Sequence, residues 1–361
     1  MTTIDGAADE DVIADKGRKR AKLVYPFAEP PEAGRTLEVA PGVKWVRMPL
    51  PFALQWINLW LIADGPGWAL VDTGVATEIT REHWRRIFEE DLGGAPITKV
   101  ICTHMHPDHV GLAGWITRKF NCPLYISRLE YVTCRMLVAD TGREAPEDGV
   151  RFFRAAGWDE DALDSYRVRF GGFGKAVSRL PDSFKRLSDG DGLSIGDHTW
   201  RIVTGNGHSP EHVCLWQPEM KLLISGDQVL PRISSNVSVF PTEPEADPLS
   251  DWLASCAKLK AALPADLLTL PAHNEPFFGL HDRLTELIEG HERALARLLK
   301  RVRQEPRRAV DLFGALFARA IGPDLIGMAT GESIAHMNCL VSRGQVRRSL
   351  REDGALIYEP A

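Results

Sequence analysis

The chain has 361 residues, of which 44% are hydrophobic and 25% charged, with 31 Gly and 24 Pro; this is ordinary globular usage and excludes a disordered or fibrous chain. No run of 18 apolar residues occurs, and the opening MTTIDGAADEDV is acidic, so neither a membrane helix nor a classical secretory signal is expected. The net charge of −6 argues against a protein devoted to binding a phosphate backbone, although from Gly290 onward 12 basic residues outnumber 8 acidic ones. Six scattered cysteines without a CxxC pair fit reduced thiols and a cytoplasmic location.

In chain order, residues 1–42 read as an N-terminal tail and lead-in, with a basic run at 16–20. Short apolar runs at 45–48, 56–62 and 68–71 read as strands, and Asp64-Gly65-Pro66-Gly67 as a hairpin turn. A helix at 78–90, a strand at 99–102, a helix from about 110 and a strand at 123–126 follow, an alternation that implies α/β layers. The segment of about 130–184, with helical spacing and Gly171, Gly172 and Gly174, reads as an insertion over one face. Strands resume at 192–195, 199–203, 212–217 and 221–224. An amphipathic helix at 249–263 and a strand at 267–270 follow, and helices dominate from His281 onward.

The most informative residues are His104-Met105-His106-Pro107-Asp108-His109, between an apolar strand and a helix. Imidazole and carboxylate are the ligand types of zinc and similar divalent metals, and four of them within six residues at a strand end can converge on a small volume. His208, Asp227 and His273 each follow an apolar run and enter a loop, where a rigid scaffold commonly presents ligands. Five of the eleven histidines thus belong to one candidate site. Cys102 lies in the apolar strand and reads as core rather than as a nucleophile.

These residues resemble the metallo-β-lactamase fold superfamily, in particular its binuclear hydrolases such as glyoxalase II-like thioesterases and lactonases. His104, His106, Asp108 and His109 match its HxHxDH pattern, and His208, Asp227 and His273 match its later ligands in order. The resemblance implies an α/β fold, a four-layer αβ/βα sandwich, with a catalytic domain at 43–280. It further implies that His104, His106 and His208 hold one metal, that Asp108, His109 and His273 hold the other, and that Asp227 bridges them. Asp72, in Asp72-Thr73-Gly74, matches the aspartate that supports a ligating histidine. The chain departs from its relatives at Glu211, read as facing solvent, and at Ala272-His273-Asn274; His212 reads as a packing or hydrogen-bonding residue. Residues 281–361 resemble the helical, winged-helix-like appendage of lactamase-β-like 2 proteins.

The cofactors so implied are two divalent ions, zinc first, with iron and manganese as alternatives. A hydroxide bridging two zinc ions would attack an ester, thioester or lactone carbonyl of a small molecule, with Asp108 as the catalytic residue that accepts or relays a proton. Two other functions stay open: a phosphodiesterase or endoribonuclease using the basic C-terminal region, and a mononuclear iron thiol dioxygenase. Arg179, Arg232 and Asn236 are candidate substrate contacts. The expected partner is a small-molecule substrate, with nucleic acid disfavoured, no membrane, and a homodimer through the helical tail.

Overall fold

The structure, a computed structural model, describes residues 21–51 and 53–361. The basic run at 16–20 and most of the N-terminal tail lie outside the described residues. Seven strands form the first sheet in sequence order: β1 (Thr36–Ala40), β2 (Val43–Pro49), β3 (Trp56–Asp64), β4 (Gly67–Val71), β5 (Ile97–Ile101), β6 (Leu124–Ser127) and β7 (Lys185–Leu187). The first four pair antiparallel and β4 to β7 pair parallel. Asp64 faces Gly67 in the β3–β4 register, so Gly65-Pro66 is the tight turn that the sequence signals.

The second sheet comprises β8 (Gly192–Ile195), β9 (His198–Gly205), β10 (His212–Gln217), β11 (Leu222–Gly226) and β12 (Leu268–Pro271), in the order β12-β11-β10-β9-β8. It is antiparallel except for the parallel β11–β12 pair. Alternate residues of a strand point to opposite faces, and here both faces are covered. In β3, Trp60 and Ile62 join Trp200, Leu215 and Ile224 of the second sheet in the core between the sheets, whereas Leu59 and Leu61 join the outer core of the first sheet. The near-continuous apolar runs of β3 and β11 reflect this two-sided burial.

Helices close both outer faces. α1 (Glu78–Arg86), α2 (Pro107–Val110), α3 (Ala113–Phe120) and α4 (Arg128–Ala139) lie along the first half of the chain, and Trp84, Val110, Ile116 and Tyr131 carry them onto the first sheet. α5 (Glu147–Ala156) and α6 (Glu160–Arg169) occupy the connection between β6 and β7, built round Phe153, Trp158 and Leu163. α7 (Pro248–Ala262) and α8 (Leu280–Gln304) cover the second sheet. On α8, Leu284, Leu287, His291, Leu295, Leu298 and Val302 are all buried, a helical-period stripe that forms its packing face. α9 (Phe313–Leu316), α10 (Ile326–Ser342) and a hairpin of β13 (Val346–Leu350) and β14 (Leu356–Pro360) complete the chain. They share one core with α7 and α8 through Leu316, Leu340, Val346 and Tyr358. The four layers are therefore helix, sheet, sheet, helix, as expected, with a helical C-terminal region attached.

Four strands escape the sequence reading, among them β14, which lies where helices are expected to dominate. β1 lies inside the expected lead-in, and β7 (KRL) and β13 (VRRSL) lack apolar runs because they sit at sheet edges or in the two-stranded hairpin, where half of the surface faces water. The lead-in also docks, since Val24 bridges to Phe278. The expected helix from about 110 starts earlier, at Pro107, a residue suited to a first helical turn because its missing N–H would be unpaired there anyway.

Candidate metal centre

All seven proposed ligands lie at or just beyond the ends of β5, β9, β11 and β12. Beyond β5, Thr103 is pinned by Asp72, whose carboxylate accepts from the Thr103 N–H and hydroxyl, each at 2.8 Å. The same carboxylate lies 2.8 Å from His109 Nδ1. With its hydroxyl hydrogen committed to Asp72, the Thr103 oxygen accepts from His104 Nδ1 at 3.1 Å. The next turn carries Asp108 and His109 on α2, which brings the hexapeptide's ligands together.

The other imidazoles are oriented by backbone carbonyls. His208 Nδ1 donates to Asn236 O at 2.7 Å, and His273 Nδ1 donates to Trp56 O at 2.8 Å. Asp227 follows Gly226, at φ 51°, where a Cβ would lie 2.6 Å from the His212 ring. Only glycine lets β11 end so close to that ring. His212, buried as expected, accepts from the Asp227 N–H at 3.1 Å.

Each oriented imidazole turns its second nitrogen inward. His109 Nε2, His208 Nε2, His273 Nε2 and Asp227 Oδ1 are buried without a hydrogen-bond partner. His104 Nε2 and His106 Nδ1 face each other at 2.9 Å. The ligand atoms fall into two groups, His104, His106, His208 and Asp227, and Asp108, His109 and His273, with the atoms of each group within 4.8 Å of one another. Asp227 spans both: Oδ2 lies 3.3 Å from His208 Nε2 and 3.6 Å from His109 Nε2, and Oδ1 lies 3.5 Å from His273 Nε2. Buried polar atoms left unpaired are costly. A convergent set of them, all imidazole nitrogen or carboxylate oxygen, fits divalent ions of the zinc type.

The electrostatics agree. Burial drives His104 well below the usual imidazole range and His106 down to about 3, with neighbouring imidazoles adding to the effect. Burial by itself would raise Asp108, but His109 and His273 overcome it and hold the carboxyl at about 2. Asp227 is likewise held well below its ordinary value against burial, by His273 and His109. The carboxylates in turn lift His109 and His273, against burial, above the usual range.

Of the candidate substrate contacts, none has a free side chain aimed at this cluster. The Arg179 guanidinium is 81% exposed and pairs with Asp182, three residues on. Arg232 grips Glu275 with two nitrogens at 2.9 and 3.2 Å and lies over the Tyr25 ring. Asn236 serves the centre through its backbone carbonyl, while its carboxamide donates to Glu332 at 2.8 Å. Glu211 does not face open solvent, since its carboxylate accepts from the Leu129 N–H at 3.0 Å, at the positive N-terminal end of α4. Burial raises the Cys102 thiol well above its ordinary value, as befits a core residue.

One residue the sequence conceals is Glu130. It is fully buried in α4, and its two oxygens accept from Met105 N at 2.9 Å and Glu211 N at 2.8 Å. It thereby ties the hexapeptide to the turn that follows His208. At the start of an amphipathic helix, a glutamate reads as an ordinary partner of the helix dipole, so no sequence signal marks this one.

Comparison with known proteins agrees with this geometry. Residues 57–273 match the Metallo-beta-lactamase superfamily, and residues 295–361 match the family described as Metallo-beta-lactamase-like, C-terminal domain. The chain is 39% identical to a beta-lactamase domain protein from Burkholderia ambifaria, whose crystal structure superposes with a TM-score of 0.85 over 94% of this chain and 98% of that one. A Bacillus subtilis protein named "Probable metallo-hydrolase YqjP" is 22% identical over 82% of this chain and 91% of its own length. The atrochrysone carboxyl ACP thioesterase of Aspergillus fumigatus is 23% identical over 85% of this chain and 60% of its own. With the family match over residues 57–273, the match of its C-terminal region and the superposition of its fold, the chain belongs to the metallo-β-lactamase superfamily of hydrolytic enzymes.

Proposed function

We propose that this protein hydrolyses a small-molecule thioester, ester or lactone at a centre of two divalent ions, zinc in the first instance. The observation that carries this reading is the second ligand group. Asp108, His109 and His273 converge beside the first four ligands, which a mononuclear iron dioxygenase would not need. His104, His106 and His208 would hold one ion and Asp108, His109 and His273 the other, with Asp227 between them. Two such ions, when bound, lower the pKa of water toward neutrality and polarise a carbonyl oxygen. No serine or cysteine nucleophile is then required.

The chain's own groups do the positioning. Asp72, Asn236 O and Trp56 O hold the His109, His208 and His273 rings by Nδ1, leaving Nε2 for the ions. Asp108 has the more exposed carboxylate of the two aspartate ligands, 15% against 9% for Asp227. Held ionised at neutral pH by His109 and His273, the Asp108 carboxylate is able to accept a proton. A thioester is favoured among carbonyl substrates because a relative similar over most of this chain is named a thioesterase.

The phosphodiester alternative relied on the basic C-terminal region, but there Arg343 pairs with Glu292, Arg347 with Glu359 and Arg348 with Glu245. Such pairing weakens the case for a face that binds RNA. We place the protein in the cytoplasm, a reading supported by its six unpaired cysteines; among the described residues no helix is long and apolar enough to cross a membrane. The deciding assay combines elemental analysis with turnover of acyl thioesters, esters, lactones and a phosphodiester. Two zinc ions per chain with carbonyl turnover is the expected result, and phosphodiester turnover alone overturns the proposal.

Metal loading should depend on pH with a definite sign. Because carboxylates lift His109 and His273 above the usual imidazole range, these rings hold protons to higher pH than an ordinary histidine, and ligation must displace them. Affinity should therefore fall as pH drops, by about tenfold per pH unit for each displaced proton, beginning above the range of an ordinary histidine. Competition with a chelator at several pH values measures this, and a flat profile between pH values on either side of that range contradicts it.

A further inference from the structure

The segment between β11 and α7 lacks regular secondary structure through its first half, yet it supplies the carbonyl that orients His208. What holds that carbonyl is the C-terminal region. The Asn236 carboxamide donates to Glu332 Oε2 on α10 at 2.8 Å and accepts from Ser238 Oγ at 2.5 Å. Three residues further on, Val239 N donates to Gly331 O at 3.1 Å. The helix and the loop touch so closely here that a Cβ on Gly331 would lie 2.8 Å from the Ser238 side chain and 2.9 Å from Val239 O. On the far side of α10, the Trp158 indole N–H donates to Thr330 Oγ1 at 2.9 Å, which anchors the same turn of helix to the α5–α6 segment.

We infer that Glu332 is a positioning residue for the metal centre, acting through Asn236 on the ring of His208, so that the C-terminal region is a working part of the site. The inference rests on the reading of His208 as a ligand. A histidine with Nδ1 hydrogen-bonded to a fixed acceptor is locked in the tautomer and orientation that present Nε2 to a metal. When the acceptor is a loop carbonyl, the lock is only as firm as the loop. Asn236 has its own side chain clamped from both ends, Nδ2 by Glu332 and Oδ1 by the Ser238 hydroxyl, and the next residue is tied to α10 by Val239 N donating to Gly331 O. Both ties end on α10, the first between residues 96 positions apart in sequence. Burial pushes the Glu332 carboxyl up to about 7, but its oxygen accepts from Asn236 whether or not the group is protonated, so the tie does not depend on pH.

A structural role for Glu332 would weaken the whole fold, whereas a positioning role weakens one ion selectively. The test measures zinc retained by the full chain against graded chelator for wild type, Glu332→Ala, Glu332→Gln and His208→Ala, with cadmium resonances telling the two sites apart by their different donors. His208→Ala should lose the ion of the His104–His106 group. Glu332→Ala should bind that ion about 10- to 100-fold more weakly and the other unchanged, and Glu332→Gln, which keeps an acceptor oxygen, should behave as wild type. If Glu332→Ala keeps both ions at wild-type affinity while His208→Ala loses one, the relay is refuted and the site reading stands. If His208→Ala keeps both, the site reading itself fails and the inference with it. Should Glu332→Ala not fold, Asn236→Ala removes the clamp but leaves the carbonyl, and the same selective loss is expected; equal weakening of both ions in either variant would overturn the proposal.

Discussion

Asp227→Ala should release both metal ions and lower hydrolysis by about 10³-fold or more, the rate equivalent of the several kcal/mol that metal polarisation contributes. The expectation follows from position. Asp227 is the only carboxylate within 4.0 Å of imidazoles from both ligand groups among the described residues, reaching His104, His109, His208 and His273. Removing it deprives two dications of their shared anion and leaves less negative charge to offset theirs in a buried site. Asp227→Asn separates charge from shape. The amide fills the same space and leaves the backbone bond to His212 intact, so its metal-free melting temperature should stay near that of wild type while its metal content falls. Elemental analysis with a thioester assay reads both variants, and substantial activity in a metal-free Asp227→Asn protein would remove the metal from the mechanism.

Glu130→Ala should give the largest loss of stability of any single change near the site. Its carboxylate is buried and accepts from two backbone donors on different segments, Met105 N and Glu211 N. A buried donor left unsatisfied costs about 1–3 kcal/mol, so two of them cost about 2–6 kcal/mol, before the cavity left by the side chain is counted. Glu130→Gln keeps one acceptor oxygen and turns an amide N–H₂ toward the other donor, so its loss should be smaller but not negligible. Denaturant unfolding of the metal-free proteins tests the order of wild type, Gln and Ala. Equal stability of Glu130→Ala and wild type would mean that the two segments do not depend on this bridge. Because the bridge joins the hexapeptide to the turn after His208, the destabilised variant should also load metal poorly.

The candidate ligand set was legible because metal chemistry demands particular side chains, and those side chains are rare and ordered along the chain. Three histidines and an aspartate within six residues, followed by His208, Asp227 and His273 at strand ends, leave little freedom for another reading. The two-sheet core was legible for a related reason, since strands buried on both faces, such as β3 and β11, must be almost wholly apolar. Edge and hairpin strands carry no such demand, and β1, β7, β13 and β14 were missed.

The supports of the site lay beyond the reach of the sequence. Asn236 looked like a substrate contact, but its carboxamide is committed to a helix 96 residues away and its carbonyl to His208. Arg179 and Arg232 looked available and are paired with Asp182 and Glu275. Glu130 and Glu332 look like any helical glutamates until the fold buries them. Composition, candidate ligand types and strand pattern are local properties, encoded residue by residue, and they determined the family resemblance, the candidate ligand set and the layered architecture. Which carbonyl holds which imidazole, and which carboxylate clamps which loop, depends on hydrogen bonds only about 3 Å long between segments far apart in sequence. Only the tertiary structure decides these contacts, because no local pattern records which distant donor a buried acceptor will meet.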